Sequence, residues 1–232
     1  MVDASKPHVG IELSVVIPVA NQDNCERLIQ DLQKELSKLQ ISHEIFVAIP
    51  PDYLAPIPSE NVKLVSAQKK SRATQMNHAA ALATGKLLWF LHADSQIQDC
   101  DLHDVIPRAL NEAQPTCWYF QLSFESSSSS LCRLNAYGAN YRSRKWNLPF
   151  GDQGFLLKNE TFETYGPFPE TFYSGEDHAF IQNLKQNNVQ IKCTNKKLIT
   201  SPRKYQKRGW LQTTLTHLFL TVLQEYKFKS NA

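Results

Sequence analysis

At 232 residues, 42% hydrophobic and 20% charged, the chain has the size and make-up of one globular domain with a substantial core. Its formal net charge of +3 is too small to argue for nucleic acid as a partner. Five widely spaced cysteines, without any C-x-x-C pair, argue against a disulfide framework or a zinc site and predict reduced thiols in a cytoplasmic protein.

Residues 1–10 lack the charged-then-apolar pattern of a signal peptide and are expected to be a flexible N-terminus. Leu13–Pro18 is a β-rich run and reads as the first strand. Asp23 and Glu26 have capping-box spacing, and Leu28, Ile29, Leu32, Leu36 and Leu39 recur at helical intervals after them. Glu44 to Ile49 reads as a second strand stopped by Pro50-Pro51, and Val62 to Val65 as a short third. Ser71 to Thr84 is alanine-rich and predicts a helix, with Gly85 as its C′ residue. Leu87 to Leu91 is uninterrupted apolar sequence, too short for a buried helix, and predicts a central strand of a parallel sheet. The order strand, helix, strand, strand, helix, strand predicts an α/β fold with a mostly parallel central sheet flanked by helices.

Beyond it, Asp101 to Ala113 is expected to be helical and Cys117 to Phe124 a strand. The run Ser126 to Ser130 suits either a loop tip or a helix entry. Leu131 to Trp146 reads as a helix carrying Arg133, Arg142, Arg144 and Lys145. Gly151-Asp152-Gln153-Gly154 introduces the apolar run 155–157, and Ser174 to Asp177 opens a helix with capping-box spacing. Trp210 to Phe228 predicts a C-terminal amphipathic helix packed on the domain, with Gln212, Thr213, Thr214 and His217 arguing against a membrane span. The expected organisation is therefore a flexible segment 1–10, a domain over 11–207 and the helix segment 208–232.

Chemistry concentrates where the apolar strand ends in His92-Ala93-Asp94. Ligands bind beyond the carboxyl ends of strands in open α/β sheets. Asp94 is a hard oxygen ligand suited to Mg²⁺ or Mn²⁺, and His92 can support it; the bland alternative is a surface turn. Asp152 and the pair Glu176-Asp177 add carboxylates at a glycine-flanked loop and a helix start. A metal carboxylate plus a separate carboxylate is what one-step group transfer from a nucleotide donor requires: one offsets charge on a diphosphate, the other takes a proton. Taken alone, Asp177 is better read as the N3 residue of a capping box, worth about 0.5–2 kcal/mol. Arg72 near a helix start suits phosphate, or is an ordinary surface charge. His178 is read as a surface side chain beside the base.

These pieces together resemble an inverting family-2 glycosyltransferase of the GT-A fold, within a bacterial branch labelled radical-SAM/selenodomain-associated transferases. The resemblance rests on Ser14-Val15-Val16-Ile17-Pro18-Val19-Ala20-Asn21, Ser71-Arg72-Ala73-Thr74-Gln75-Met76-Asn77 and Leu91-His92-Ala93-Asp94-Ser95. It continues through Gly151-Asp152-Gln153-Gly154, Gly166-Pro167-Phe168-Pro169, Glu176-Asp177 and Thr200-Ser201-Pro202-Arg203. It implies Asp177 as catalytic base with Glu176 beside it, and Asp94 with His92 at the D-x-D-like divalent-metal position, holding Mn²⁺ or Mg²⁺. It places Asn21, Asp52, Arg72, Gln75, Asn77, Asp152, Arg203 and Arg208 around the nucleotide-sugar donor and the acceptor hydroxyl. The basic run Arg203, Lys204, Lys207 and Arg208 reads as a solvated loop, a lid on diphosphate, or a peripheral contact with the inner membrane face.

Two departures stand out. Ile49 occupies the place of the aspartate that contacts the base in that family, and Gln22 replaces a common acidic residue. Isoleucine cannot accept a hydrogen bond from a ring nitrogen; Asp52 substitutes only if the loop bends back through two prolines. The leading expectation is metal-dependent, inverting sugar transfer. The rival is a GT-A-like binding module without catalysis. A nucleotidyltransferase is the third reading, and it lacks the glycine-rich, lysine-containing loop expected after the first strand.

Overall fold

The computed structural model describes residues 10–21, 23–53, 62–125, 128–170 and 175–201. The C-terminal helix expected at 210–228, the N-terminal segment 1–9, Arg203 and Arg208 lie outside the described residues.

Among the described residues eight strands form one sheet: β1 (Leu13–Pro18), β2 (His43–Ile49), β3 (Lys63–Ser66), β4 (Leu87–Phe90), β5 (Ser95–Gln96), β6 (Thr116–Phe124), β7 (Phe155–Lys158) and β8 (Gln190–Thr200). Their order is β3-β2-β1-β4-β7-β6-β8-β5. The half from β3 to β4 is entirely parallel, as the strand–helix alternation predicts. β7 enters antiparallel between β4 and β6, and β8 runs parallel to β6. Among the described residues six α-helices flank the sheet: α1 (Glu26–Leu39), α2 (Arg72–Leu82), α3 (Leu102–Asn111), α4 (Ser130–Trp146), α5 (Asn159–Tyr165) and α6 (Glu176–Gln186).

The unbroken apolar run of β4 has a direct cause. Leu87 and Trp89 face α1 and α3 with Leu13, Val15 and Ile17, while Leu88 and Phe90 face α2, α5 and α6. Both faces of the strand are therefore dry, so no polar alternation survives. All four residues are at most 3% exposed.

Several local expectations need correction. α1 begins at Glu26, and Asn24 Oδ1 accepts its N–H at 2.9 Å, whereas Asp23 accepts from Ala20. Gly85 is not a left-handed cap: α2 ends at Ala83 in extended backbone. Gly85 instead lies so close to β1 that an added Cβ would stand 2.6 Å from Ser14 N and 2.8 Å from Leu13 C. Ser14 Oγ accepts the Gly85 N–H at 2.9 Å and donates to Glu44 at 2.6 Å, which pins the α2–β4 link to β1 and β2. The serine run is a helix entry where it is described: Ser129 caps α4 and its side chain accepts from Cys132 N. β8 and α5 were not anticipated. β8 carries Lys192 and Lys196, whose charges pair with Glu112 and Asp101 at the two ends of α3, both at 2.6 Å.

Candidate active site

The carboxyl ends of β1, β2 and β4 converge with the first turns of α2 and α6. After β4 the chain turns sharply, Ser95 N–H donating to His92 O at 3.0 Å. Arg72 at the start of α2 reaches across this turn. Its guanidinium donates to His92 Nε2 at 3.2 Å and lies 3.3 Å from Glu176 Oε1. Next to Glu176, Asp177 Oδ2 accepts the Gly151 N–H at 2.8 Å, and its Oδ1 accepts the His178 N–H at 2.8 Å. Gly151 opens a 3₁₀ turn, Gly151–Gln153, fixed from below by Gln153. The Gln153 side chain is fully buried; it accepts from Ser143 Oγ at 2.6 Å and donates to Phe120 O at 3.1 Å.

The result is a crevice with a polar rim of Arg72, His92, Glu176 and Asp177 over an apolar floor of Met76, Phe90, Phe155 and Phe168. Gly151 lies close under the rim: a Cβ there would stand 2.8 Å from His92 Nε2 and 3.2 Å from Asp177 Oδ2, and both side chains would have to shift.

Burial pushes the Glu176 carboxyl above the usual range, the Asp177 charge adds to this, and Arg72 opposes both. Ionised Glu176 is thus disfavoured by burial and by Asp177, and favoured by Arg72. Its raised pKa makes folding favourable below the free value, and that contribution is lost as pH rises through the folded pKa. Glu176→Gln is therefore expected to raise the melting temperature at pH 7 relative to wild type. The gap should close below about pH 4.5, where both forms are neutral. Melting curves across pH check this; equal midpoints at pH 7 would count against it.

A second polar group lies at the ends of β1 to β3. Asn21 Nδ2 donates to Asp52 Oδ2 at 3.4 Å, and Lys70 Nζ lies 2.9 Å from the same oxygen. Asp52 has bent back despite Pro50-Pro51, and the Lys70 hydrogen bond holds its carboxyl below the usual range. Ile49 packs into the core. Lys70 was not singled out in the sequence, although it directly precedes the start of α2.

Other expected donor residues take structural positions. Gln75 is 6% exposed and donates both amide protons, to Val19 O at 2.7 Å and Ala48 O at 2.8 Å, tying the ends of β1 and β2 together. Asn77 donates to Phe168 O and accepts Phe168 N–H at 2.9 Å, clamping the loop after α5. Asp152 lies in the 3₁₀ turn and Asp94 in the turn after β4; neither lines the crevice. His178 is not a surface residue: it is 1% exposed, its ring 5.8 Å from that of Phe150. Its spacing three before Ile181, on the buried face of α6, is the signal that reveals this.

The donor set can be tested for a divalent ion. His92 Nε2 lies 3.2 Å from the Arg72 guanidinium. Among the described residues no three His, Cys, Asp or Glu side chains gather into a cage. Asp94 alone still fits, because Mg²⁺-like ions are held by one or two carboxylates with phosphate oxygens and water completing the shell.

No protein-family model matches the sequence, and no curated protein matches it. Solved structures do. S. aureus TarS 1–349 superposes with a TM-score of 0.60 at 16% identity, over 84% of this chain and 62% of that one. The mannosyltransferase PcManGT from Pyrobaculum calidifontis, in complex with GDP-Man and Mn²⁺, gives 0.58 at 17% identity, over 89% and 62%. Glucosyl-3-phosphoglycerate synthase from Mycobacterium tuberculosis, with Mn²⁺ and UDP, gives 0.52 at 13% identity, over 82% and 69%. The fold is GT-A. This chain thus spans about three fifths of the TarS and PcManGT structures, and it carries the GT-A sheet with the crevice at the expected strand ends. Among the described residues no helix is long and apolar enough to cross a membrane.

Proposed function

We propose that the protein transfers a sugar from a nucleotide-diphospho-sugar to an acceptor hydroxyl with inversion, and that Asp177 is the base. The observation that carries this is the Asp177 carboxylate at the crevice rim, oriented by the Gly151 N–H at 2.8 Å. With the His178 N–H on its other oxygen, the carboxylate accepts two backbone donors and still keeps a lone pair on each oxygen for an incoming proton. Asp177 accepts the acceptor's hydroxyl proton as that oxygen bonds to the anomeric carbon. The bond from this carbon to the diphosphate oxygen breaks, and its electron pair leaves with the nucleoside diphosphate.

Arg72 holds Glu176 and His92 in place at the start of α2, where a helix N-terminus and a guanidinium both favour phosphate. Asp94 would hold a Mg²⁺ or Mn²⁺ ion, which when bound supplies positive charge to the departing diphosphate. Asn21, Asp52 and Lys70 form the base-side pocket, with Asp52 standing in for the aspartate that Ile49 replaces. PcManGT bound to GDP-Man and Mn²⁺ supports this reading at the level of the fold.

The test is a melting panel of UDP, GDP, dTDP, CDP and ADP, each with and without Mn²⁺. One nucleotide at about a hundred times its dissociation constant is expected to add about 2.7 kcal/mol, a shift of about 5–10 °C. Asp52→Ala should remove that shift. No shift with any nucleotide at millimolar concentration would instead favour the non-catalytic module, with the packed Ile49 as cause.

A further inference from the structure

α4 is built the wrong way round for a helix that only covers a sheet. Its inner face, against Leu122 and Phe124, is made of small buried residues: Cys132, Ala136 and Ser143. Its outer face carries the large ones. Leu134, Tyr137 and Tyr141, at i, i+3 and i+7, are 58%, 71% and 55% exposed, and Trp146 in the last turn is 56% exposed. Ordinary surface helices place their large apolar residues inward.

The stripe is bordered by charge of one sign. Arg133 and Arg144 lie on one side of it, Lys145 on the other, all exposed, and α4 contains no acidic residue. Lys185 of α6 donates to Trp146 O at 2.9 Å and adds a further positive charge at that end. A basic helix with an apolar, tyrosine-rich stripe and a terminal tryptophan is suited to lie in the plane of an anionic bilayer surface.

We propose that α4 is a docking face for anionic phospholipid. Charge complementarity singles out this occupant. A second copy would bring the same positive face against itself. The chain's own segment 202–232 carries Arg203, Lys204, Lys207, Arg208, Lys227 and Lys229 against a single Glu225, so it has little counter-charge to offer the basic border of α4. The proposal stands apart from sugar transfer, since it needs no turnover.

Full-length protein is tested by co-sedimentation with phosphatidylcholine vesicles, with and without about one third phosphatidylglycerol. Binding to the anionic vesicles is expected at least about tenfold tighter, and weaker as salt rises, since each basic residue contributes about fivefold. Tyr137→Glu with Tyr141→Glu, and separately Arg144→Gln with Lys145→Gln, should each lower it about tenfold or more, with an unchanged melting temperature. Absent binding to anionic vesicles overturns the proposal. So does binding that neither pair of changes weakens. A large fall in melting temperature for the tyrosine variant would mean the stripe is covered by the chain itself, and loss of a dimer would mean a second copy covers it; either result overturns the proposal as well.

Discussion

Asp177→Asn is expected to lower sugar transfer by about 10²–10⁴-fold while leaving nucleotide-induced stabilisation unchanged. The reasoning is geometric. Asparagine is isosteric, and its single oxygen can still accept the Gly151 N–H, at the cost of the His178 N–H contact. What is lost is the capacity to hold the acceptor's proton, because an amide oxygen is far too weak a base. The measurement is release of nucleoside diphosphate with whichever donor the melting panel identifies. Retention of most activity would remove Asp177 from the mechanism. The neighbouring Glu176 provides a useful contrast: Glu176→Gln alters a buried acid held by Arg72, and its first readout is pH-dependent stability.

The second large effect is on the fold. Gly85→Ala is expected to destabilise the protein by about 3 kcal/mol, near the upper end for an overpacked site. The added methyl would meet Ser14 Oγ at 2.5 Å and, more seriously, the backbone at Ser14 N and Leu13 C. Backbone in a buried central strand cannot move aside as a flexible side-chain end can. A fall in melting temperature of about 6–12 °C follows for a domain of this size. Gly138, in the middle of α4, is the matched control: a Cβ there meets nothing within 4 Å. Gly138→Ala should leave stability unchanged or raise it by about 0.5–1 kcal/mol. Equal effects of the two changes would refute the close-approach explanation for Gly85.

The fold was legible in the sequence wherever burial left a regular mark. The five apolar residues of 87–91 and the leucine periodicity of α1 required no tertiary information, since a strand buried on both faces and a helix buried on one write different patterns. β8 left no such mark. Its lysines look solvated in one dimension, and only the packing of α3 supplies Glu112 and Asp101 as partners. α5 has seven residues, too few for a periodicity to show.

For the site, residue type and order pointed to Asp177, Glu176, Arg72 and His92, and the structure brings these four to one crevice. The amides were different. Gln75 and Asn77 stand beside Arg72 in sequence, yet both bind main-chain groups, because an amide serves a carbonyl or a ligand equally well and only the neighbouring strands decide which. Asp52 is the reverse case. Two prolines argued against a return of the loop, but the ion pair with Lys70 and the Asn21 contact bring it to the strand ends.

By itself, then, the sequence determined the α/β layering and the first four strands of the sheet, because hydrophobic periodicity is a local record of which faces are dry. The tertiary structure alone decided which polar side chains tie the backbone together and which are left at the crevice. It also decided that the Arg72 guanidinium sits against His92 and Glu176. Hydrogen-bond partners are chosen among groups far apart in the chain, and no local pattern encodes that choice.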